Sequence, residues 1–282
     1  MKTDPFDFEK PARYAVLGNP VAHSKSPRIH SMFAHQFKHS IEYIAVQVDA
    51  GGFAQAVEQF RANGGAGLNI TVPFKQEAYK LADHLSDRAK LAGAVNTFKF
   101  EPDGRIFGDN TDGAGLAHDL VRNLGLHLRD KRILILGAGG AVRGVLAPLL
   151  KQRSALIVVA NRTLSKAKDL VEEFASYGKL EASGFEALKG KHFDLVINGT
   201  AASLKGEVPP LPENLFARRA LAYDMMYGEK SKPFIDWAAL HGADTQADGL
   251  GMLVEQAAES FLLWRGVRPE TRLVIEKLRS EG

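Results

Sequence analysis

"KRILILGAGGAVRGVLAPLLK", residues 131–151, decides the fold. It opens with a short unbroken apolar run, Ile133–Leu136, the pattern of a buried strand. A glycine-rich turn follows and leads into a helix. That order of strand, glycine turn and helix suits a dinucleotide pyrophosphate: the backbone approaches closely and the anion lies at a helix N-terminus. Gly137 and Gly139 fill the first two places of G-x-G-x-x-G, but the third falls on Val142. As a bare motif it also fits a tight turn; the surrounding pattern favours the nucleotide.

Downstream, that pattern continues. The strand "ALIVVAN" (155–161), the helix "SKAKDLVEEFA" (165–175) and the strands "DLVING" (194–199) and "ALAYDMM" (220–226) make a doubly wound unit. The strand after the glycines selects the nucleotide. NAD enzymes usually end it in Asp or Glu to hold the ribose hydroxyls. Here Asn161, Arg162, Thr163 and Lys166 stand instead, a set suited to a 2′-phosphate and so to NADP. Read as ordinary solvated charges, Arg162 and Lys166 would oppose the dipole of the helix they open.

Upstream, strands at 13–18, 42–49, 66–71 and 94–101 alternate with helices at 27–38, 52–62 and 74–81, which predicts a first α/β layer with a largely parallel sheet. The tail "DGLGMLVEQAAESFLLWRG" (248–266) reads as a long helix with Leu253, Ala257, Phe261 and Trp264 on its core stripe. Apolar residues are 45% and charged residues 24% of the 282, ordinary usage for a globular chain of one large or two modest domains. The net charge of +3 is scattered, which gives no argument for nucleic acid or a membrane surface as partner and does not hinder an acidic substrate. The absence of cysteine excludes thiolate chemistry and fits a reducing cytoplasm. "MKTDPFDFEKP" (1–11) does not read as a signal peptide, and no apolar run is long enough for a membrane span.

Three loops carry candidate chemistry. "GNPVAHSKSP" (18–27) puts Ser24 and Ser26 where a strand hands over to a helix, a place suited to a small anion; Ser26 also fits an N-cap. "LNITVPFKQ" (68–76) puts Asn69, Thr71 and Lys75 at and after a strand end, and "GDNTDGAG" (108–115) puts Asp109 and Asp112 before a helix. A hydride transfer to a ketone needs a proton donor, and a lysine beside an aspartate has a tunable pKa. A surface lysine and an ordinary N-cap are the plainer readings of Lys75 and Asp112. His35 and His39 have a metal-like spacing, but no third ligand is evident and both read as helix-surface residues. In "DMMY" (224–227), Met225 fits either packing or the flank of a nicotinamide.

With these stretches in place, the chain resembles the shikimate dehydrogenase family. The resemblance runs from about Tyr14 to Leu278 and rests on "GNPVAHSKSP", "NITVPFK", "AGAVNT", "GDNTDG", "GAGGAVRG", "NRT", "YDMMY" and "DGLGMLVEQAA" in that order. It implies that Ser24 and Ser26 bind a substrate carboxylate and that Thr71 and Tyr227 touch the substrate. It implies that Lys75 is catalytic with Asp112 as its partner, both also touching substrate, and that Asn96 and Gln256 hold ring hydroxyls. Gly137, Ala138, Gly139, Gly140, Ala141, Asn161, Arg162, Thr163 and Lys166 match an NADP site, with Met225, Gly249 and Asp87 near the cofactor. Lys166 stands where relatives often have arginine, so it can neutralise a phosphate but not clamp it bidentately.

The fold implied is α/β: residues 1–111 with 248–282 as a substrate domain, an inserted Rossmann domain at 112–247, and the site in the cleft between them. The activity implied is reversible NADPH-dependent reduction of 3-dehydroshikimate to shikimate, in the cytoplasm, by a monomer or homodimer with no metal. The rivals are an NAD-using quinate/shikimate dehydrogenase and a non-catalytic NADP-binding sensor. The basic "NRT" turn speaks against the first; the presence of Lys75 and Asp112 speaks against the second.

Overall fold

The computed structural model describes residues 10–281, so most of the polar opening stretch lies outside the described residues. The predicted strands and helices of the first series are present in the order β1 (Ala12–Gly18), α1 (Ser26–Gln36), β2 (Ile41–Gln47), α2 (Phe53–Ala62), β3 (Gly65–Ile70), α3 (Lys75–Leu81), β4 (His84–Leu85), α4 (Asp87–Ala92), β5 (Thr97–Phe100) and β6 (Ile106–Asp109), of which β4, α4 and β6 are additional. Their six strands form one sheet in the order β2-β1-β3-β5-β6-β4. β1 runs parallel to β2 and β3, but β5 runs antiparallel to both β3 and β6. The sheet is therefore mixed rather than largely parallel. Residues 101–105, with Gly104 at φ +87°, are too short a link for a parallel crossover and turn the chain straight back. Ala15, Leu17, Phe53, Leu68, Phe74 and Phe98 form the core on this sheet.

The second series begins with α5 (Asp112–His118) and a π-helical turn at Asp119–Asn123. It continues through β7 (Arg132–Leu136), α6 (Gly140–Leu150), β8 (Leu156–Ala160), α7 (Leu164–Phe174), β9 (Leu180–Ser183), β10 (Phe193–Asn198), β11 (Phe216–Asp224), α8 (Lys232–Leu240) and β12 (Thr245–Ala247). The sheet order is β12-β11-β10-β7-β8-β9, with every pair parallel. This is the Rossmann order, and its switch point lies between β7 and β10. Ile133 to Leu136 are 0% exposed, as a strand covered on both faces requires.

Two helices close the chain, α9 (Leu250–Arg265) and α10 (Arg272–Ser280). On α9, Ala257 and Phe261 are buried as expected and Leu253 and Trp264 are half-buried, while Val254 and Ala258 are also fully buried. The helix is thus covered on more than one stripe. Trp264 stacks on Tyr14 at 4.4 Å and donates to the Phe98 carbonyl at 2.8 Å, which fastens this end of α9 to the first sheet.

The chain divides into two compact units, 1–111 with 257–274 and 112–256 with 275–282. Among the described residues, no helix is long and apolar enough to cross a membrane.

Candidate active site

In the second unit the phosphate loop is built as the sequence predicts. Gly137 sits at φ +103°, where only glycine is unstrained, and a Cβ there would lie 3.0 Å from the Gly199 carbonyl across the switch point. Gly139 precedes α6 without a side-chain cap, so the first N–H groups of the helix are left for a ligand. Cβ atoms at Gly139 or Gly140 would meet nothing within 4 Å, which is the open cradle an anion needs. Ala138 and Ala141 complete the loop. Val142 breaks the motif for a packing reason: its side chain is fully buried and fills the space over Gly199, where a Cβ would come within 2.7 Å of it.

The turn after β8 is basic and open. Asn161 donates to the Thr163 carbonyl at 2.9 Å and so shapes the turn. Arg162, Thr163 and Lys166 are exposed, Thr163 makes no side-chain cap, and the first turn of α7 contains no acid. Nothing negative competes for a 2′-phosphate here. Arg143 of α6 pairs bidentately with Glu173 of α7 and lies over the Phe174 ring at 5.8 Å, which ties together the two helices whose starts form this surface. These residues fit NADP.

At the ends of β10 and β11 lies a network that sequence reasoning missed. The buried Asp224 accepts from Asn198 at 2.9 Å, Ser203 at 2.8 Å and the Met226 N–H at 2.8 Å. Burial pushes its carboxyl up against the pull of those donors. The network pins Met225 between Gly199 and Gly249, where Cβ atoms would come within 3.0 Å of its sulfur and 2.3 Å of its carbonyl oxygen. Tyr227 is half-buried, and its phenol is pushed up by burial.

Asp112 opens α5, and Gln256 lies on α9; the two helices meet at Gly115, where a Cβ would be 2.7 Å from the Gln256 Cβ. Gly113, beside Asp112, packs so closely on α6 that a Cβ would lie 2.4 Å from the Gly144 carbonyl. That carbonyl lacks its usual donor four residues on, because position 148 is proline.

In the first unit, Ser24 lies in the loop after β1, Ser26 opens α1, Thr71 follows β3, Lys75 opens α3 and Asn96 precedes β5. Gly18 lets them close up: a Cβ there would lie 2.3 Å from the Thr71 methyl. The Val95 N–H donates to the Lys75 carbonyl at 2.9 Å, bringing "VPFK" beside "AVNT". Asn96 is buried. It donates to the Thr111 hydroxyl at 2.8 Å and accepts the Thr111 N–H at 2.9 Å, anchoring the residue just before Asp112.

The serines differ from their sequence readings. Ser26 is the first helical residue and not the N-cap, which is Lys25. Ser24 has a local role after all: its hydroxyl accepts the Ser26 N–H at 3.2 Å, while keeping its own hydrogen to donate.

The remaining candidates have partners of their own. Asp109 is engaged by Arg88 at 2.7 and 2.5 Å, Ser86 at 2.5 Å and the Asn110 N–H at 2.7 Å. Burial works to raise its carboxyl, and Arg88 with the other donors more than reverses this, so it sits below the usual range. Asp87, in the first turn of α4, has a side chain 97% exposed and pairs with Lys90 at 3.6 Å. His39 lies beyond the end of α1 and stacks on Phe261, so it is not a helix-surface residue, because α1 stops at Gln36. Among the described residues, no group of three or more His, Asp or Glu could hold a metal.

The chain is similar to known proteins over nearly its whole length. Family models match three stretches: the shikimate dehydrogenase substrate binding domain at 16–98, shikimate / quinate 5-dehydrogenase at 117–205 and the shikimate 5'-dehydrogenase C-terminal domain at 249–279. A shikimate dehydrogenase (NADP(+)) of Alkalilimnicola ehrlichii is 57% identical over 95% of this chain and 99% of its own. The crystal structure of an Ael1 enzyme from Pseudomonas putida superposes with a TM-score of 0.90 at 50% identity, covering 95% of this chain and 98% of the other. Shikimate 5-dehydrogenase from Thermus thermophilus, in complex with NADP(H) and shikimate, superposes with a TM-score of 0.83 at 33% identity, covering 95% and 99%. Matches of this extent, running through both units and all of the loops above, place the chain in the shikimate dehydrogenase family.

Proposed function

We propose that this chain is an NADP-dependent oxidoreductase that interconverts shikimate and 3-dehydroshikimate in aromatic biosynthesis. The observation that carries the reading is its 57% identity, over 95% of the chain, to an NADP-linked shikimate dehydrogenase. The acid-free turn at 161–166 supports NADP over NAD, as it lacks the carboxylate that would hold a ribose diol.

The substrate domain is residues 1–111 with 248–282, and the cofactor domain is 112–247. NADP, when bound, supplies the hydride acceptor for alcohol oxidation, and its reduced form the donor for ketone reduction. The chain's own residues do the rest. Ser24 and Ser26 dock the substrate carboxylate. Thr71, Asn96, Tyr227 and Gln256 orient the ring. Lys75 takes the proton from the C3 hydroxyl as the carbonyl forms and returns it in reduction, with Asp112 as its catalytic partner at the substrate. Gly137–Ala141 cradle the pyrophosphate; Asn161, Arg162, Thr163 and Lys166 receive the 2′-phosphate; Met225, Gly249 and Asp87 border the cofactor. The enzyme acts in the cytoplasm, as a monomer or homodimer.

Lys75→Ala tests the central role. It should cut kcat by about 10²–10⁴-fold, the usual worth of positioned acid–base catalysis, with a smaller change in KM. Lys75→Arg should not rescue it, because a guanidinium keeps its proton at working pH. A folded Lys75→Ala protein with near-normal kcat would contradict the assignment.

A further inference from the structure

A Rossmann sheet divides its ligand between two mononucleotide halves. In the second unit, the loop at 137–141 follows β7 and the turn at 161–166 follows β8; on the reading above they take the pyrophosphate and the 2′-phosphate. The nicotinamide half then falls to the ends of β10 and β11. There Asn198 ends β10 and Asp224 ends β11, both buried and paired in register on neighbouring strands. Their partners fix the hydrogen-bond directions. Asn198 Oδ1 accepts the Thr200 N–H at 3.1 Å and the Thr200 hydroxyl at 2.8 Å. A backbone N–H only donates, so that end of the amide is the oxygen and the other end is the nitrogen. Nδ2 donates to Asp224 Oδ2 at 2.9 Å and to Ser203 Oγ at 2.7 Å. Ser203 gives its own hydrogen to Asp224 Oδ2 at 2.8 Å, and Asp224 Oδ1 takes the Met226 N–H at 2.8 Å.

Asp224 thus accepts three hydrogen bonds, and none of these partners is a cation. Burying a carboxylate on neutral donors alone is costly, and a neutral residue at the strand end would avoid that cost. What the pair holds is backbone. Asn198 fixes Thr200 in the loop after β10, and Asp224 fixes Met226 after β11. Met225 lies between them and donates its N–H to the Asn198 carbonyl at 2.9 Å, while the Gly249 N–H donates to the Met226 carbonyl at 2.9 Å. Both loops that rim this half of the sheet therefore hang on one asparagine–aspartate pair.

We propose that Asp224 and Asn198 are positioning residues for the nicotinamide half of NADP. Both side chains are buried, so they act through Met225 and the loop at 199–203, whose shape that half of the cofactor needs. The inference rests on the reading of the chain as NADP-dependent.

The bond directions supply the test. Asp224→Asn sets an amide nitrogen against either Asn198 Nδ2 or the Met226 N–H, donor against donor. Asn198→Asp sets two carboxylates face to face. The exchange Asn198→Asp with Asp224→Asn satisfies every partner again, because the amide and the carboxylate merely trade strands. Binding titrations would compare NADP with adenosine 2′,5′-bisphosphate, which keeps the adenine and the 2′-phosphate but has no nicotinamide. Each single variant should weaken NADP about tenfold, the worth of a hydrogen bond to a charged group, and leave the bisphosphate within about twofold. The exchange should recover most of that loss. Ser203→Ala is the mildest change and stands in where a single variant does not fold; it should weaken NADP about threefold, the worth of one ordinary hydrogen bond, with the bisphosphate unmoved. Equal losses for both ligands, an exchange no better than the single variants, or unchanged NADP binding in Ser203→Ala would overturn the proposal. An unmutated protein that binds neither ligand would contradict the NADP reading itself, and the inference with it.

Discussion

At the scale of single residues, the motif "GDNTDG" separates two aspartates that the sequence could not tell apart. Asp109 has a side chain only 5% exposed and is held by Arg88, which also pairs with Glu259 at 2.9 Å. Asp112, three residues on, opens a helix and stays half-buried. The first holds the loop in place, which supports the role proposed for the second at the substrate. Arg88→Met should therefore cost stability, about 3–5 kcal/mol, since it strands a buried carboxylate. The pH dependence has a definite sign. The Asp109 carboxyl is depressed in the folded state. Its contribution is present above the ordinary carboxylate value near ~4 and is lost as pH falls through the folded value. The Tm gap between wild type and Arg88→Met should be wide at neutral pH and narrow in acid. An equal gap in thermal melts at both would assign the loss to packing instead.

At the scale of elements, helix starts and close backbone approaches set the geometry. α6 begins with uncapped N–H groups in the loop proposed to cradle the pyrophosphate, and Gly113 docks α5 on the same helix. Gly113→Ala would force a Cβ to 2.4 Å from the Gly144 carbonyl and 2.6 Å from Pro148 Cγ. It should destabilise by about 1–3 kcal/mol as an overpacked contact does, and lower kcat by displacing Asp112. Thermal melts with steady-state rates would read both, and a variant unchanged in each would contradict the role given to this contact. At the start of α7, Arg162→Ala with Lys166→Ala should weaken NADP binding at least tenfold, as loss of two charge-assisted contacts implies, and leave NAD nearly untouched. Cofactor titrations measure it, and equal losses for both cofactors would show that these residues do not read the 2′-phosphate.

At the scale of the molecule, much of the second unit was legible because a buried parallel strand writes an unbroken apolar run and a phosphate loop writes glycines. Its unforeseen strands, β9 and β12, are four and three residues long, and β4 of the first unit is two; such lengths carry no periodicity. The antiparallel β5 was hidden because alternation of elements does not reveal strand direction. The candidate site residues lie in loops with distinctive residues, so their positions could be read. The supports beneath them could not: Asn198 and Asp224 simply end apolar strands. The bond that joins them spans 26 residues of sequence. The central claim, that these parts make an NADP-dependent shikimate dehydrogenase, is tested most directly by initial rates with shikimate and with quinate, each with NADP and with NAD. Shikimate with NADP should be fastest by a wide margin, with NAD poor for either substrate. No turnover of shikimate with NADP, or equal rates with NAD, would contradict the account.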